Sequence, residues 1–189
     1  MFAGDAGEGW VVGAGWKCSM NSSKPDFFEF VSPMIGLPVS HIWRGYGSAL
    51  FIELGELHSV RYKNGRVSRN PSGQMGIGIE WSWRIEGKKR IWCGSWSDES
   101  RWNRFFSMML GSRVDSVSLF GRLPEIDLCL SNGLHLLSMM TADGEPEWSI
   151  SDRRSDPSRY LSVKNGRLNI EETSISLPRV NRSALRRVK

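Results

Sequence analysis

The pattern of glycine and apolar residues in the first half of the chain returns 65–76 residues later in the second half. Three sets recur: Gly36, Val39 and Ile42 as Gly111, Val114 and Val117; Leu50, Ile52 and Leu54 as Ile126, Leu128 and Leu130; and Trp83 with Ile85 as Trp148 with Ile150. Alternating apolar residues are typical of half-buried strands, and a repeated block indicates two copies of one unit. We therefore predict an α+β fold made of two pseudo-repeated antiparallel β-meanders, each with a helix packed on one face, over about 24–96 and 97–170.

Each predicted meander follows a short aromatic-rich segment with helical spacing. The first helix is predicted from Pro25, which suits a first turn, to a stop near Pro33. The second is predicted from a cap at Ser97 to Leu110. Its apolar residues follow the spacing i, i+3, i+4, i+7 and would form one stripe facing a sheet: Trp102, Phe105, Phe106 and Met109.

The most regular alternation of the chain lies between these helices. Residues 77–85 alternate apolar and polar side chains, including Trp81, over nine positions, which is typical of one long half-buried strand. Residues 86–89 have the composition of a turn, so residues 90–96 are predicted to return as the hairpin partner. Residues 160–170 contain Asn165-Gly166 and predict a smaller hairpin.

Composition and charge divide the chain into one compact domain, residues 20–170, and two terminal segments. Residues 1–19 are rich in Gly, Ala and Trp without a period and are expected to be a flexible extension, with Met20 as an alternative start. The net charge of +5 equals the five basic residues of 179–189, so 171–189 is expected to be a basic tail and residues 1–178 are formally neutral. A neutral body argues against a broad nucleic-acid face.

The chain contains no apolar run long enough to span a membrane, and its N-terminus lacks the basic region of a secretory signal. A cytoplasmic protein without membrane contact is therefore expected.

Residues that usually carry chemistry are few and scattered. The three cysteines, Cys18, Cys93 and Cys129, are too few and too far apart for a disulfide framework or a four-ligand zinc site, so reduced thiols are expected. His41, His58 and His135 do not lie at metal-ligand spacing with a cysteine or another histidine, and structural or surface roles are expected for them. The sequence predicts no metal, no cofactor and no enzymatic activity.

Five residues are candidates for a binding surface. Arg44, Glu53 and Arg84 are polar residues of predicted strands that would line a groove between the two repeats. Trp92 and Trp96 are predicted to share one face of the hairpin. An exposed face would be a partner-binding patch, whereas a buried one would be part of the core.

Two basic segments are candidates for contacts with nucleic acid. The basic loop, residues 59–73, contains no acidic residue and four basic ones: Arg61, Lys63, Arg66 and Arg69. The tail adds Arg186 and Arg187. A solvated loop and tail would account for the same residues.

Several short motifs follow one another in a familiar order: Gly36-Leu-Pro, Leu54-Gly-Glu56, Trp83-Arg84, Gly94-Ser95 and a later Trp148. In these motifs the segment 36–150 resembles a widespread family of small uncharacterised bacterial proteins, with a G-L-P entry, an F-G-E-like strand and a strand ending in W-R. Leu54 stands where that pattern has an aromatic residue. The size and bacterial spread of the family are also similar to those of immunity and phage-defence accessory proteins. The resemblance implies the fold and the compartment, and no particular reaction.

Three hypotheses on function follow. The leading one is a non-enzymatic protein-binding module, immunity-like or defence-associated, because aromatic residues are abundant and catalytic constellations are missing from the sequence. The second is a nucleic-acid-associated accessory protein that uses the basic loop and the tail. The third is an enzyme of unrecognised type with Arg44, Glu53 and Arg84 in its groove. A protein partner is expected and nucleic acid is not, while the oligomeric state, a dimer included, is left open.

Overall fold

The computed structural model describes residues 24–61, 64–80, 82–141, 148–164 and 166–173. The elements, in chain order, are α1 (Lys24–Val31), β1 (Val39–Arg44), β2 (Leu50–Leu54), β3 (Met75–Ile79), β4 (Ser82–Gly87), β5 (Arg90–Gly94), α2 (Trp102–Met109), β6 (Val114–Phe120), β7 (Glu125–Leu130), β8 (His135–Met139), β9 (Trp148–Asp152), β10 (Ser158–Lys164) and β11 (Arg167–Thr173). Two 3₁₀ turns, Ser32–Met34 and Glu99–Arg101, extend α1 and precede α2.

The strands form two antiparallel sheets. The six-stranded sheet has the order β1-β2-β3-β9-β10-β11, and the five-stranded sheet has the order β5-β4-β8-β7-β6. The described part of the chain is thus an α+β fold of two antiparallel sheets with two short helices. Each sheet contains strands from both halves of the chain. The expectation that each half forms its own separate meander is therefore wrong.

The predicted long strand over residues 77–85 is two strands in different sheets. β3 ends at Ile79 in the six-stranded sheet, and β4 begins at Ser82 in the five-stranded one. Alternation continues across the break because both strands have an apolar face towards the same core, so the pattern alone does not reveal the crossover. Trp81 lies outside the described residues.

Both helices agree with their predicted spacing. The four residues of the predicted stripe on α2 are all buried, and α1 with its 3₁₀ extension buries Phe27, Phe30, Val31 and Met34. The cap differs: the Asp98 carboxylate accepts from Ser100 N at 2.9 Å, and the predicted cap Ser97 instead accepts from Gly94 N.

A single cluster of buried side chains joins both helices and both sheets. Its largest fully buried members are three tryptophans: Trp83, Trp102 and Trp148. Because this cluster contacts one face of each sheet, we call the opposite faces the outer faces. They carry the polar residues that alternate with the core.

The predicted small hairpin is formed by β10 and β11, which extends to Thr173, so the first three residues of the predicted tail are strand. The predicted extension 1–19, the tail from residue 174 onwards and Lys63 lie outside the described residues. Among the helices that the structure describes, none is long and apolar enough to cross a membrane.

Candidate functional site at the aromatic end

Two large aromatic side chains protrude from neighbouring turns at one end of the sheets. Tyr46, in the turn between β1 and β2, is 100% exposed, and Trp96, in the turn after β5, is 89% exposed. Arg44 and Glu99 lie next to them and form an ion pair of 2.7 Å. We call these four residues the aromatic end.

The buried Trp83 holds the two turns together. Its indole Nε1 donates to the Ser48 carbonyl at 2.7 Å, which fixes the turn that carries Tyr46. Its carbonyl accepts from Ser95 N at 2.9 Å, and its amide donates to the Ser95 hydroxyl at 3.3 Å. A single core residue therefore positions both exposed rings, which reduces the entropy that a partner would have to remove on binding.

The Trp96 ring is exposed but anchored at one edge. Its Nε1 donates to the Ser82 hydroxyl at 3.3 Å, and that hydroxyl also lies 3.1 Å from the hydroxyl of Thr141. The polar edge of the indole is thus satisfied by the protein, while its apolar face remains in solvent. This arrangement favours apolar contact with a partner over a structural role.

The charges at the aromatic end are balanced. The Arg44 guanidinium lies 4.3 Å above the Trp102 ring while it pairs with Glu99. The Ser100 amide and hydroxyl hold the pKa of the neighbouring Asp98 below its usual range. An arginine that is paired with a carboxylate and stacked on a core ring is rigid. The charges next to the exposed aromatic rings therefore give this surface little net charge.

Trp92 does not belong to this surface, so the expectation that it shares a face with Trp96 is wrong. Trp92 is half-buried, with its ring 6.0 Å from Phe105 of α2 and covered by the Arg90 guanidinium at 3.5 Å. It lies on the core side, whereas Trp96 contacts Ser82, which points to the outer face. The irregularity in the β4–β5 register next to Trp92 changes the simple alternation on which the prediction was based.

Glu53 is buried, 5% exposed, and its role is structural. Its carboxylate accepts from Arg153 Nη1 and from Gly73 N, both at 2.8 Å. Arg153 also donates to the Gly73 carbonyl at 3.2 Å. This pair ties the end of the basic loop to the outer face of the six-stranded sheet.

Arg84 lies on the outer face of the other sheet, where it forms an ion pair with Glu86 and lies 3.0 Å from the Met139 sulfur. Arg44, Glu53 and Arg84 are therefore on three separate surfaces. The predicted groove between repeats is not formed by them.

The basic loop surrounds an open hollow of about 550 Å³ lined by six of its residues: Asn64, Arg66, Val67, Ser68, Arg69 and Asn70. Arg61 points elsewhere and donates to the Gly65 carbonyl at 3.0 Å, which closes the loop tip. Of the predicted nucleic-acid contacts, Arg66 and Arg69 thus share one surface. Lys63, Arg186 and Arg187 lie outside the described residues.

Sequence reasoning missed a cluster on the outer face of the five-stranded sheet. Asp127 and Cys129 of β7 lie beside His135 of β8, with Cys129 and His135 directly opposite in register. The signal that could have found them is Asn132-Gly133, a tight-turn pair that brings the two strands together. No group in the described part of the chain has three ligands arranged to hold a metal ion.

The comparisons with known proteins do not assign this site. No protein-family model, no curated protein and no solved structure matches the chain.

Proposed function

We propose that this chain is a non-enzymatic binding protein of the immunity or defence-accessory kind, whose aromatic end inserts into a concave surface of a partner protein. The observation that carries the proposal is the joint exposure of Tyr46 and Trp96 on turns that one buried residue, Trp83, holds in place. Exposed tryptophan and tyrosine on a rigid scaffold are the side chains that most often dominate binding energy at interfaces.

The size of this surface favours a concave partner over a flat one. Two aromatic side chains offer about 150–250 Å² each, whereas a standard interface buries about 800 Å² on each side. The aromatic end alone is therefore too small for a flat dimer interface. A partner that encloses the protruding end gains the missing area from the sides of the two turns.

The fold itself gives no reason for the exposed ring of Tyr46. The turn between β6 and β7 is fixed by the same kind of hydrogen bond, because its Pro124 carbonyl accepts from Trp148 Nε1 at 2.7 Å. That turn carries Arg122 where the first turn carries Tyr46. An aromatic ring at position 46 is thus not required by the bond that fixes the turn.

We also propose that the two halves are copies of one ancestral unit. Support comes from matching contacts: Gly36 N donates to the Val114 carbonyl and Gly111 N donates to the Val39 carbonyl, both at 2.8 Å. Each of these glycines has a positive φ, 82° and 81°. The register irregularity of β1–β2 begins at Val39, and that of β6–β7 begins at Val114, 75 residues later.

The crossovers follow the same relation. β4, which follows β3 in the first half of the chain, lies in the five-stranded sheet and pairs there with β8 of the second half. β9, which follows β8 in the second half of the chain, lies in the six-stranded sheet and pairs there with β3 of the first half. Duplication with exchange of these strands accounts for the sequence recurrence and for the mixed sheets together.

The binding proposal is tested by site-specific photo-cross-linking in cells. A photoreactive residue at position 96 is expected to give a discrete adduct with a partner protein. The matched control is the same residue at position 123, because Leu123 is also an exposed apolar residue of a turn. Adducts at position 96 that are no more frequent than those at position 123 contradict the proposal.

The purified partner then allows a quantitative measurement. Trp96→Ala is expected to weaken its binding by about 30-fold or more, the effect of losing a central aromatic anchor of about 2 kcal/mol, and Leu123→Ala is expected to leave binding unchanged. Isothermal titration calorimetry gives both values. If the adduct is a second copy of this chain, and sedimentation shows a dimer that Trp96→Ala dissociates, the surface is a self-association site and the proposed concave partner is wrong.

The nucleic-acid hypothesis stays as the second candidate because of the hollow in the basic loop. Arg66 and Arg69 are exposed and line one concave surface with amide and hydroxyl groups, a set that suits a phosphate oxygen. Two arginines supply few phosphate contacts, so this surface alone predicts weak and salt-sensitive binding.

A further inference from the structure

A cysteine, a histidine and an aspartate form one line of contacts on the outer face of the five-stranded sheet. The Cys129 sulfur lies 3.5 Å from His135 Nε2, and His135 Nδ1 lies 2.9 Å from an Asp127 carboxylate oxygen. The three side chains share a face because residues 127 and 129 are two apart on β7 and residue 135 is directly opposite 129. The side chain of His135 is partly exposed, so the cluster is reached from solvent.

The contacts determine where the protons lie. The Asp127 carboxylate is an acceptor, so His135 donates to it through Nδ1–H. In the neutral imidazole this leaves the lone pair on Nε2, 3.5 Å from the Cys129 sulfur, to accept the thiol proton. This is the order of nucleophile, general base and orienting carboxylate that activates a thiol or hydroxyl group in nucleophilic catalysis.

The thiol is not a preformed thiolate. Burial raises the pKa of the Cys129 thiol, a hydrogen bond with Ser116 lowers it, and the charges of Asp115 and Asp127 raise it. Cys129 therefore depends on His135 to remove its proton during attack. The histidine is the group through which the reactivity of this thiol is controlled.

The remaining charges around the cluster come from β4. Glu86 lies opposite His135 in the β4–β8 register, on the side away from Cys129. Its charge is paired with Arg84. Asp127 is thus the carboxylate in direct contact with the imidazole, and it favours the protonated imidazole that forms during attack.

The sheet limits which reaction this thiol can perform. Acyl transfer needs hydrogen-bond donors for an oxyanion, but β7 is paired on both sides, with β6 and β8, so its main-chain groups are used in the sheet. Thiol–disulfide exchange needs no oxyanion site, because the attacking sulfur approaches in line with the S–S bond. The partial exposure of Cys129 and His135 permits that approach.

We propose that Cys129 is a thiol–disulfide exchange site that takes a low-molecular-weight disulfide from solution. His135 removes the Cys129 proton, the sulfur bonds to one sulfur of the disulfide, and the S–S bond breaks. The leaving thiolate takes the proton from the imidazolium, so the products are one mixed disulfide on the protein and one free thiol. The disulfide itself is the oxidant, and no other reactant is needed.

The mixed disulfide is not resolved by the other cysteine that the structure describes. Cys93 is 1% exposed and belongs to the core cluster, whereas Cys129 is on an outer face. Among the described residues no second thiol is therefore available to displace the adduct, and in a chain with Cys18→Ser it persists until an external thiol removes it. Cys129 is thus a site of reversible modification by mixed-disulfide formation, and this modification is independent of partner binding at the aromatic end.

The probe for this proposal is oxidised glutathione, with intact-protein mass spectrometry to follow the adduct. Cys18 is replaced by Ser in all proteins, so that Cys93 and Cys129 are the two thiols present. We expect one adduct per chain, on Cys129, and none in Cys129→Ser. His135→Gln is expected to slow the reaction at neutral pH by about a hundredfold, the lower end of a general-base contribution, and Asp127→Asn is expected to slow it less.

The pH profile separates a proton-accepting role from a structural one. A general base gives the wild-type rate a pH dependence of its own, whereas the rate of His135→Gln should follow only the ionisation of the thiol. Thermal unfolding of each variant serves as the folding control. Equal rates and equal pH profiles for wild type and His135→Gln would overturn the proposal, as would an adduct on Cys93 instead of Cys129.

Discussion

Trp83 is the residue whose replacement tests the described architecture most directly. It is almost fully buried, and its ring lies 5.1 Å from the ring of Trp102 and 5.8 Å from that of Phe106, both on α2. Its indole also donates to the Ser48 carbonyl at 2.7 Å. Trp83 thus connects the five-stranded sheet, the helix and the turn that carries Tyr46.

Replacement of Trp83 by Ala removes the ring contacts and the hydrogen bond at once. For a large buried aromatic residue we expect a loss of about 3–5 kcal/mol in the free energy of unfolding. At about 2–4 °C per kcal/mol for a chain of this size, the melting temperature should fall by about 6–20 °C. Trp83→Phe retains one ring and loses the hydrogen bond, so a smaller loss of about 1–3 kcal/mol is expected.

Trp148 provides the matched control. It is fully buried and donates through Nε1 to the Pro124 carbonyl at the same distance of 2.7 Å. Trp148→Phe should therefore lower the free energy of unfolding by nearly the same amount as Trp83→Phe, but it should leave partner binding at the aromatic end intact. Urea unfolding followed by far-UV circular dichroism measures the free energies. A loss below about 1 kcal/mol for Trp83→Ala would refute the reasoning, since a core aromatic residue does not have so small an effect.

Three further predictions concern the charged groups. Arg153→Met should lower the free energy of unfolding by about 3 kcal/mol, because Glu53 stays buried without its cation, and native-state hydrogen exchange should increase in the basic loop. Burial raises the pKa of Asp152, but the hydrogen bonds and charge of Arg154 together with the charge of Arg159 lower it by more, so it lies below its usual range. The stabilisation that Asp152→Asn removes should be full above the unfolded pKa of about 3.9 and shrink as the pH falls through the folded one, as measured by urea unfolding at pH values on both sides. Binding to duplex DNA or single-stranded RNA should be no tighter than about 10⁻⁴–10⁻⁶ M at physiological salt, by fluorescence anisotropy with and without residues 179–189; nanomolar binding without the tail would contradict this.

The helices and most strand positions were predictable because their apolar spacing is local. The stripe from Trp102 to Met109 needs only the helical period, and the hairpin of β4 and β5 needs only a turn between two alternating runs. The crossover after Ile79 was not predictable in this way. Which sheet a strand joins depends on partners far away in the sequence, and the period of a strand is the same in either sheet.

The candidate site was predictable in part. Arg44 and Trp96 were selected from the sequence and lie at the aromatic end, but Tyr46 was missed because one aromatic residue in a glycine-flanked turn has no period to reveal its exposure. Trp92 was assigned to the wrong face because the register is irregular beside it. Glu53 was selected for its polarity, although its partner Arg153 is one hundred residues away and could not be inferred.

The proposed duplication explains why the two outer faces differ in chemistry. In the first half, position 53 of β2 lies opposite position 76 of β3. In the second half, position 129 of β7 lies opposite position 135 of β8 in the same way. In the first half, the residues between β2 and β3 include the basic loop, which covers position 53, so the buried Glu53 requires the cation that it receives from the partly buried Arg153. In the second half only residues 131–134 connect the strands, and Cys129 and His135 stay accessible. On this proposal, the different lengths of the two connections account for a covered ion pair at one place in the sheet and an accessible thiol at the equivalent place.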